Sequence, residues 1–278
     1  MKFSVSTGTL YPYPLRNIFR WARSAGFEGI ELVVNPEAII RRGDAVRRLA
    51  EEEGIKVLSV HPTVVPLPGW WERRGGIEPT ICLAQEVGAR WVILHVPRSE
   101  TMSEGEGLAF RQQIEAWSPR LAESQPQLAV ENKAIRAEAH RRYALSPLDR
   151  LRAFADQYDL GLVLDTTHAG TAGEDLFRAR RVFDGRLVNV HLSDLGGQYP
   201  FAFYPPIRRM LGEHRFPGSG ELPLADLLKG LAAEGYEGLV TLEISPWDAH
   251  GWWPPAVRRR LACAMAWLRQ AMRGAPEG

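Results

Sequence analysis

Six short, largely apolar runs along this chain stop at a residue with a titratable or metal-ligating side chain. No other feature narrows the fold as much. Residues 56–60 run into His61, 91–94 into His95, 127–130 into Glu131, 162–164 into Asp165, 187–190 into His191 and 239–242 into Glu243. A short continuous apolar run reads as a strand buried on both faces of a parallel sheet. A polar residue at its C-terminal end stands where open and closed parallel sheets place their chemistry. Asp165 alone would be read as a helix cap; the recurrence is what needs another explanation.

Between the runs lie segments with helical spacing. Leu15, Ile18, Phe19 and Ala22 share one face, and Gly26 ends that helix. Further helices are predicted at 45–53 before Gly54, 77–87 before Gly88, 108–122, 147–158, 174–182, 223–234 and 255–272. Ser146 is the expected N-cap of the 147–158 helix, with Pro147 at its first position. Two earlier strands, at 3–6 and 29–34, complete eight strand–helix units with no break in composition. Alternation of this kind implies a parallel sheet, and eight units in 278 residues imply one closed (β/α)8 barrel. The barrel is expected to fill residues 1–273, leaving 274–278 as a disordered tail.

Composition excludes several function classes. A formal net charge of +1 gives no reason to expect nucleic acid and none to exclude it, since a local basic patch can hide in a neutral total. The first residues, MKFSVSTG, are too polar for a signal peptide, and no run is long enough to span a membrane. Cys82 and Cys263 sit in helix-like segments and are expected to be buried thiols rather than a disulfide, which points to the cytoplasm. The sequence is silent on oligomeric state.

A barrel brings every strand end to one face. Glu131, Asp165 and Glu243 would then repel one another unless a divalent cation lay among them. With His191 they form an oxygen-rich donor set that suits Mn²⁺, Mg²⁺ or Co²⁺ and is compatible with Zn²⁺. His61 and His95 favour Zn²⁺ if a second cation binds, and His168 and His214 serve a third position or the substrate. Glu31 lies too early in its strand and is expected to orient neighbours, while Asp194 is expected to cap or support. His140 and His250 read as surface residues, and Trp70-Trp71 and Trp252-Trp253 as packing or pocket walls. The long loop at 193–222 reads either as a rigid, packed surface excursion or as a substrate lid. It carries Tyr199, Phe201, Phe203 and Tyr204, with Arg208 and Arg209 placed to pair with a phosphate or carboxylate, and Gly218-Ser219-Gly220 as the turn that holds His214.

The stretches SVHPT, LHVP, VEN, LDTTHAG, VHLSD, HRFPGSGELP and LEISP resemble the strand-end motifs of the xylose isomerase-like barrel superfamily. That group includes sugar-phosphate isomerase/epimerase-like proteins, ketose 3-epimerases and the endonuclease IV family. Likeness to the epimerases implies a metal-dependent isomerase or epimerase of carbohydrate metabolism, acting on a small carbohydrate by proton transfer through an enediolate. Glu131, Asp165, His191 and Glu243 would bind the metal, Glu131 and Glu243 would exchange protons, and His168 would contact the substrate. Likeness to endonuclease IV implies instead a zinc-dependent nuclease. His61, His95 and Glu131 would hold one zinc; Glu131, Asp165, His191 and Glu243 a second; His168 and His214 would belong to a third. That family carries an Asp two residues before the His matching His214, where this chain has Gly212. No Lys- and Arg-rich loop interleaved with aromatic wedges marks a duplex-DNA surface. A non-catalytic sugar-binding barrel is the third alternative.

Overall fold

A computed structural model describes residues 1–64, 76–122, 124–198 and 205–273, with the backbone alone at 205 and 207–209. The first quarter runs β1 (Lys2–Ser6), a 3-10 turn (Thr7–Leu10), α1 (Leu15–Ala25), β2 (Gly29–Val33), α2 (Pro36–Arg41), α3 (Gly43–Glu52) and β3 (Lys56–His61). Next come α4 (Ile77–Val87), β4 (Trp91–His95), α5 (Gly105–Leu121), β5 (Gln127–Glu131), α6 (Leu148–Tyr158) and β6 (Gly161–Asp165). The remainder is α7 (Thr166–Ala172), α8 (Leu176–Phe183), β7 (Leu187–Leu192), α9 (Pro205–Gly212), α10 (Leu224–Ala233), β8 (Leu239–Leu242) and α11 (Pro254–Arg273). Each strand pairs in parallel with the next, and β1 pairs with β8, closing an eight-stranded barrel as the sequence predicts.

Alternation along each strand divides the barrel into two layers. On β4, Val92 and Leu94 pack beneath the helices in the main apolar core, while Trp91 and Ile93 join Ala129, Val163 and Leu239 in a smaller cluster inside the barrel. The same parity carries His95, Glu131, Asp165 and Glu243 to the inner side at the C-terminal ends. The strands end in ligand-type residues without exposing an apolar face because the outward neighbours, such as Val130 and Leu164, stay fully buried. Gly26, in the left-handed region at φ 94°, donates to Ala22 O and Arg23 O and stops α1 where the sequence predicts.

Several expectations need correction. Residues 193–222 are not all loop: α9 lies inside them, begun by Pro205-Pro206, whose missing N–H groups cost nothing in a first turn. The helical stretch after β6 starts at once as α7, because the Asp165 carboxylate caps it by accepting the His168 N–H at 2.7 Å. α8 then follows as a separate helix. Ser146 does not cap α6; its hydroxyl donates to His140 O at 2.8 Å, and Pro147 stands at the cap position. Cys82 and Cys263 are free thiols, but both are exposed on the outer faces of their helices. Trp70, Trp71 and the tail 274–278 lie outside the described residues.

Candidate active site

All eight ligand-type residues predicted for the barrel mouth come together there. Their candidate ligand atoms form three groups, each with its atoms within 4.8 Å of one another: His61, His95 and Glu131; Glu131, Asp165, His191 and Glu243; Asp165, His168 and His214. Glu131 and Asp165 are each shared by two groups.

In the first group the His61 and His95 Nε2 atoms are 3.2 Å apart. Glu131 Oε2 lies 3.0 Å from His95 Nε2 and 3.9 Å from His61 Nε2. His61 Nδ1–H donates to Pro62 O at 2.7 Å, so its Nε2 lone pair faces the interior. In the second group His191 Nδ1 lies 2.9 Å from Glu243 Oε2 and 3.5 Å from Glu131 Oε1. Its other nitrogen, Nε2, lies 3.0 Å from Glu31 Oε2. In the third, His168 Nδ1–H donates to Asn132 O at 2.9 Å, and His214 Nδ1 is 3.2 Å from Ser193 Oγ. Four of the five imidazoles thus have one nitrogen tied to a protein group while the other is left for the mouth.

Glu31 orients neighbours, as the sequence reading expects. Its Oε2 also accepts from Ser59 Oγ and Asn189 Nδ2, and Asn189 Oδ1 accepts from Thr241 Oγ1, which bonds Ser4 Oγ. A polar chain therefore crosses the barrel beneath His191. Asp194 does more than cap. Its carboxylate accepts the N–H groups of Leu195, Gly218, Gly220 and Leu222, and its backbone pairs both ways with Arg215. A Cβ on Gly220 would stand 2.4 Å from that carboxylate, so only glycine lets the turn close on it. His214, at φ 49°, is held between this turn, Ser245 N–H on its carbonyl, and the Arg136–Glu213 ion pair beside it.

Charges in the mouth are tightly interdependent. Burial would raise the Glu131 carboxyl, but His95, His191 and His168 hold it well below the usual range. Burial likewise opposes ionisation of Glu243, and His191 overcomes it to bring Glu243 to about 2. Asp165 is pushed up by burial, with Glu131 and Glu243 adding to the shift. Burial disfavours imidazolium at His168 and His191 alike. Asp165 and Glu131 nevertheless raise His168 to about 9, and Glu31, Glu243 and Glu131 raise His191. His61 goes the other way, lowered by burial and by His95. Protonated imidazoles thus balance the carboxylates. Despite those short distances, both Glu131 oxygens, Asp165 Oδ2 and His191 Nδ1 are buried without a hydrogen bond. Hard oxygen donors and aimed imidazole nitrogens in that condition fit a divalent cation.

Five contributors escaped the sequence reading: Asn132, Lys133, Arg136, Asn189 and Ser193. Asn132 clamps the Asp165 backbone, accepting its N–H at 2.7 Å and donating to its carbonyl at 3.1 Å. Its position directly after Glu131 was the available signal. Lys133 is half-buried, donates from Nζ to Val96 O at 2.5 Å and lies over the Tyr143 ring. Burial and then Arg98 lower it to about 8. His140 and His250 stay out of the three groups, stacked on Tyr143 and Trp252 respectively. Of the expected lid, Tyr199, Phe201, Phe203 and Tyr204 lie outside the described residues. Arg208 and Arg209 fall on α9, but their side chains do too.

The family model described as xylose isomerase-like TIM barrel matches residues 19–271. An uncharacterised protein of Mycobacterium tuberculosis is 33% identical over 269 residues, spanning 88% of this chain and 89% of that protein. A Streptomyces coelicolor protein with the provisional name hydroxypyruvate isomerase is 24% identical over 296 residues, spanning 92% and 97%. Among solved structures, apo 3-keto-D-glucoside 4-epimerase of E. coli superposes with a TM-score of 0.68 at 19% identity, over 97% of this chain and 99% of that one.

Proposed function

Because the chain belongs to the xylose isomerase-like TIM barrel family, we propose that it is a divalent-metal-dependent isomerase or epimerase of a small hydroxy-carbonyl carbohydrate. One observation carries the reading: buried carboxylate oxygens without hydrogen bonds face the His61 and His191 nitrogens whose opposite nitrogens are tied to Pro62 O and Glu31. The E. coli epimerase and the provisional hydroxypyruvate isomerase support an isomerase or epimerase of this general kind.

Glu131, Asp165, His191 and Glu243 would hold the cation, with Mn²⁺, Mg²⁺ or Co²⁺ favoured by the three carboxylates. When bound, such an ion supplies Lewis-acid polarisation of the substrate's oxygens. The side chain of Glu243 is 23% exposed and that of Glu131 1%, so Glu243 is assigned removal of the proton α to the carbonyl. Its ionised state at neutral pH, secured by His191, is the state a base requires. Glu131, itself ionised, is assigned return of a proton to the other face, taking that proton first from the His168 imidazolium 3.2 Å from its Oε1. His168, held by Asn132 and Asp165, offers its free edge to a substrate hydroxyl.

The test is turnover of ketoses and hydroxy-keto acids in D₂O by Mn²⁺-loaded protein. Deuterium should enter at the α-carbon, and Glu243→Gln should lose both exchange and turnover. Turnover without α-exchange would overturn the enediolate route. A second reading, phosphodiester cleavage, is favoured by the sharing of Glu131 and Asp165 among three groups. About three zincs per chain together with cleavage of abasic duplex DNA would select it; a single bound cation and no cleavage would reject it.

A further inference from the structure

Beside the mouth, between the ends of β4 and β5, stand two cations, Lys133 and Arg98, with no carboxylate paired to either among the described residues. Lys133 extends from the loop after β5, and its ammonium carries three N–H donors. One goes to Val96 O; the described residues supply no acceptor for the others. The flanking charges are Arg98 and Arg136, with Glu131 and Glu106 as the nearby carboxylates. Neither carboxylate forms an ion pair with Lys133. Glu131 is engaged by His95 and His168, and Arg136 is bound by Glu213. Arg98, on the loop after β4, makes no hydrogen bond or ion pair among the described residues and is exposed. The two loops are tied together, Ala144 N–H donating to Ser99 O at 2.8 Å, so the two cations are held on neighbouring segments.

A half-buried ammonium next to a guanidinium is unfavourable unless an anion completes it. We propose that Lys133 and Arg98 form an anion subsite on the β4–β5 side of the mouth that holds a carboxylate or phosphate on the substrate. The inference rests on the reading of the mouth as an isomerase or epimerase site. It narrows the substrate to an acidic carbohydrate, such as a sugar acid or sugar phosphate. The guanidinium fork of Arg98 matches either group in two-point contact, and Lys133 supplies the buried charge.

The test is calorimetric titration with inorganic phosphate, with pyruvate as the carboxylate probe and with D-fructose as the neutral one. Each is run on the chelated and the Mn²⁺-loaded protein. Phosphate, pyruvate or both should bind more tightly than fructose, and the preferred probe identifies the group. Lys133→Met and Arg98→Gln should each weaken the bound anion about tenfold or more, the size of one charge-assisted hydrogen bond, and leave fructose and Mn²⁺ binding unchanged. Arg98 has no hydrogen bond or ion pair among the described residues to lose, so its variant decides the matter should Lys133→Met disturb the loop. Anion binding equal to wild type in Arg98→Gln, an equal loss for fructose, or no anion binding at all would overturn the subsite. Absence of Mn²⁺ binding would instead count against the cation reading, and the titration of chelated protein separates the two.

Discussion

The two ends of the barrel interior are lined by the same strands with the same two-residue alternation, yet they behave as different materials. Near the strand starts the inner positions are Trp91, Ile93, Ala129, Val163 and Leu239, packed on one another. One or two steps further along the same face stand His95, Glu131, Asp165 and Glu243. The first set stabilises by removing apolar area from water. The second is buried at a cost, since carboxylates and imidazoles give up hydration and several atoms gain no hydrogen bond in return. The plug therefore keeps the barrel closed while the mouth keeps a strained charge set in place. The polar chain from Ser4 through Thr241, Asn189 and Glu31 to His191 is the layer between them.

Substitutions that separate the two ends test this division. The largest effect is expected at Asp165, which both caps α7 and faces the mouth. Asp165→Ala and Asp165→Asn should each cut Mn²⁺ affinity about a thousandfold, roughly 4 kcal/mol, by calorimetry. Only the alanine variant should also lose about 1 kcal/mol of stability, because asparagine still caps. Wild-type Mn²⁺ affinity in Asp165→Asn would remove Asp165 from the donor set. Next, Ile93→Ala at the fully buried plug should cost about 3 kcal/mol in urea unfolding and leave Mn²⁺ affinity unchanged. A matching drop in Mn²⁺ affinity would show that the two ends are not separable.

Smaller effects are expected between the ends. Glu31→Gln keeps the shape beneath His191 and removes the charge, and should lower Mn²⁺ affinity about tenfold; no change would make Glu31 a packing residue only. Protonation has the mildest consequence. His168 binds its proton up to about 9 in the cation-free protein, and His191 is also raised. Cation uptake must displace the His191 proton, and its charge also opposes the proton on nearby His168, so affinity should rise with pH towards 9 and fall below it, with proton release visible as buffer-dependent heat. The raised His168 value also contributes stability that is fully present below the ordinary imidazole value of 6.5 and is lost as pH rises through about 9. The melting temperature of chelated protein should decline across that window, and a flat profile would mean the imidazolium contributes nothing.

How far the sequence can be read follows from where each residue stands. His61, His95, Glu131, Asp165, His191 and Glu243 end apolar strands, and parity along a strand is a local property, so their convergence is legible in the amino-acid order alone. His168 and His214 are legible as candidates, but not the means of holding His214. That depends on Asp194 binding a turn 24 to 28 residues away, and on Arg136 reaching Glu213 across 77 residues. α9 is hidden inside a long segment rich in turn formers, and exposure of the two cysteines depends on which helix face meets the barrel.

The sequence by itself determined the count of strands, their parallel order and the inward side of each terminal residue, because these follow from periodicity and chain connectivity. Only the closed barrel decided that Glu131 and Asp165 belong to two groups each, that Glu31 reaches His191 from 160 residues away, and that Lys133 bonds the loop carrying Arg98 with no carboxylate paired to either cation among the described residues. Those are distances across the barrel mouth, set by closure and loop packing rather than by any local pattern.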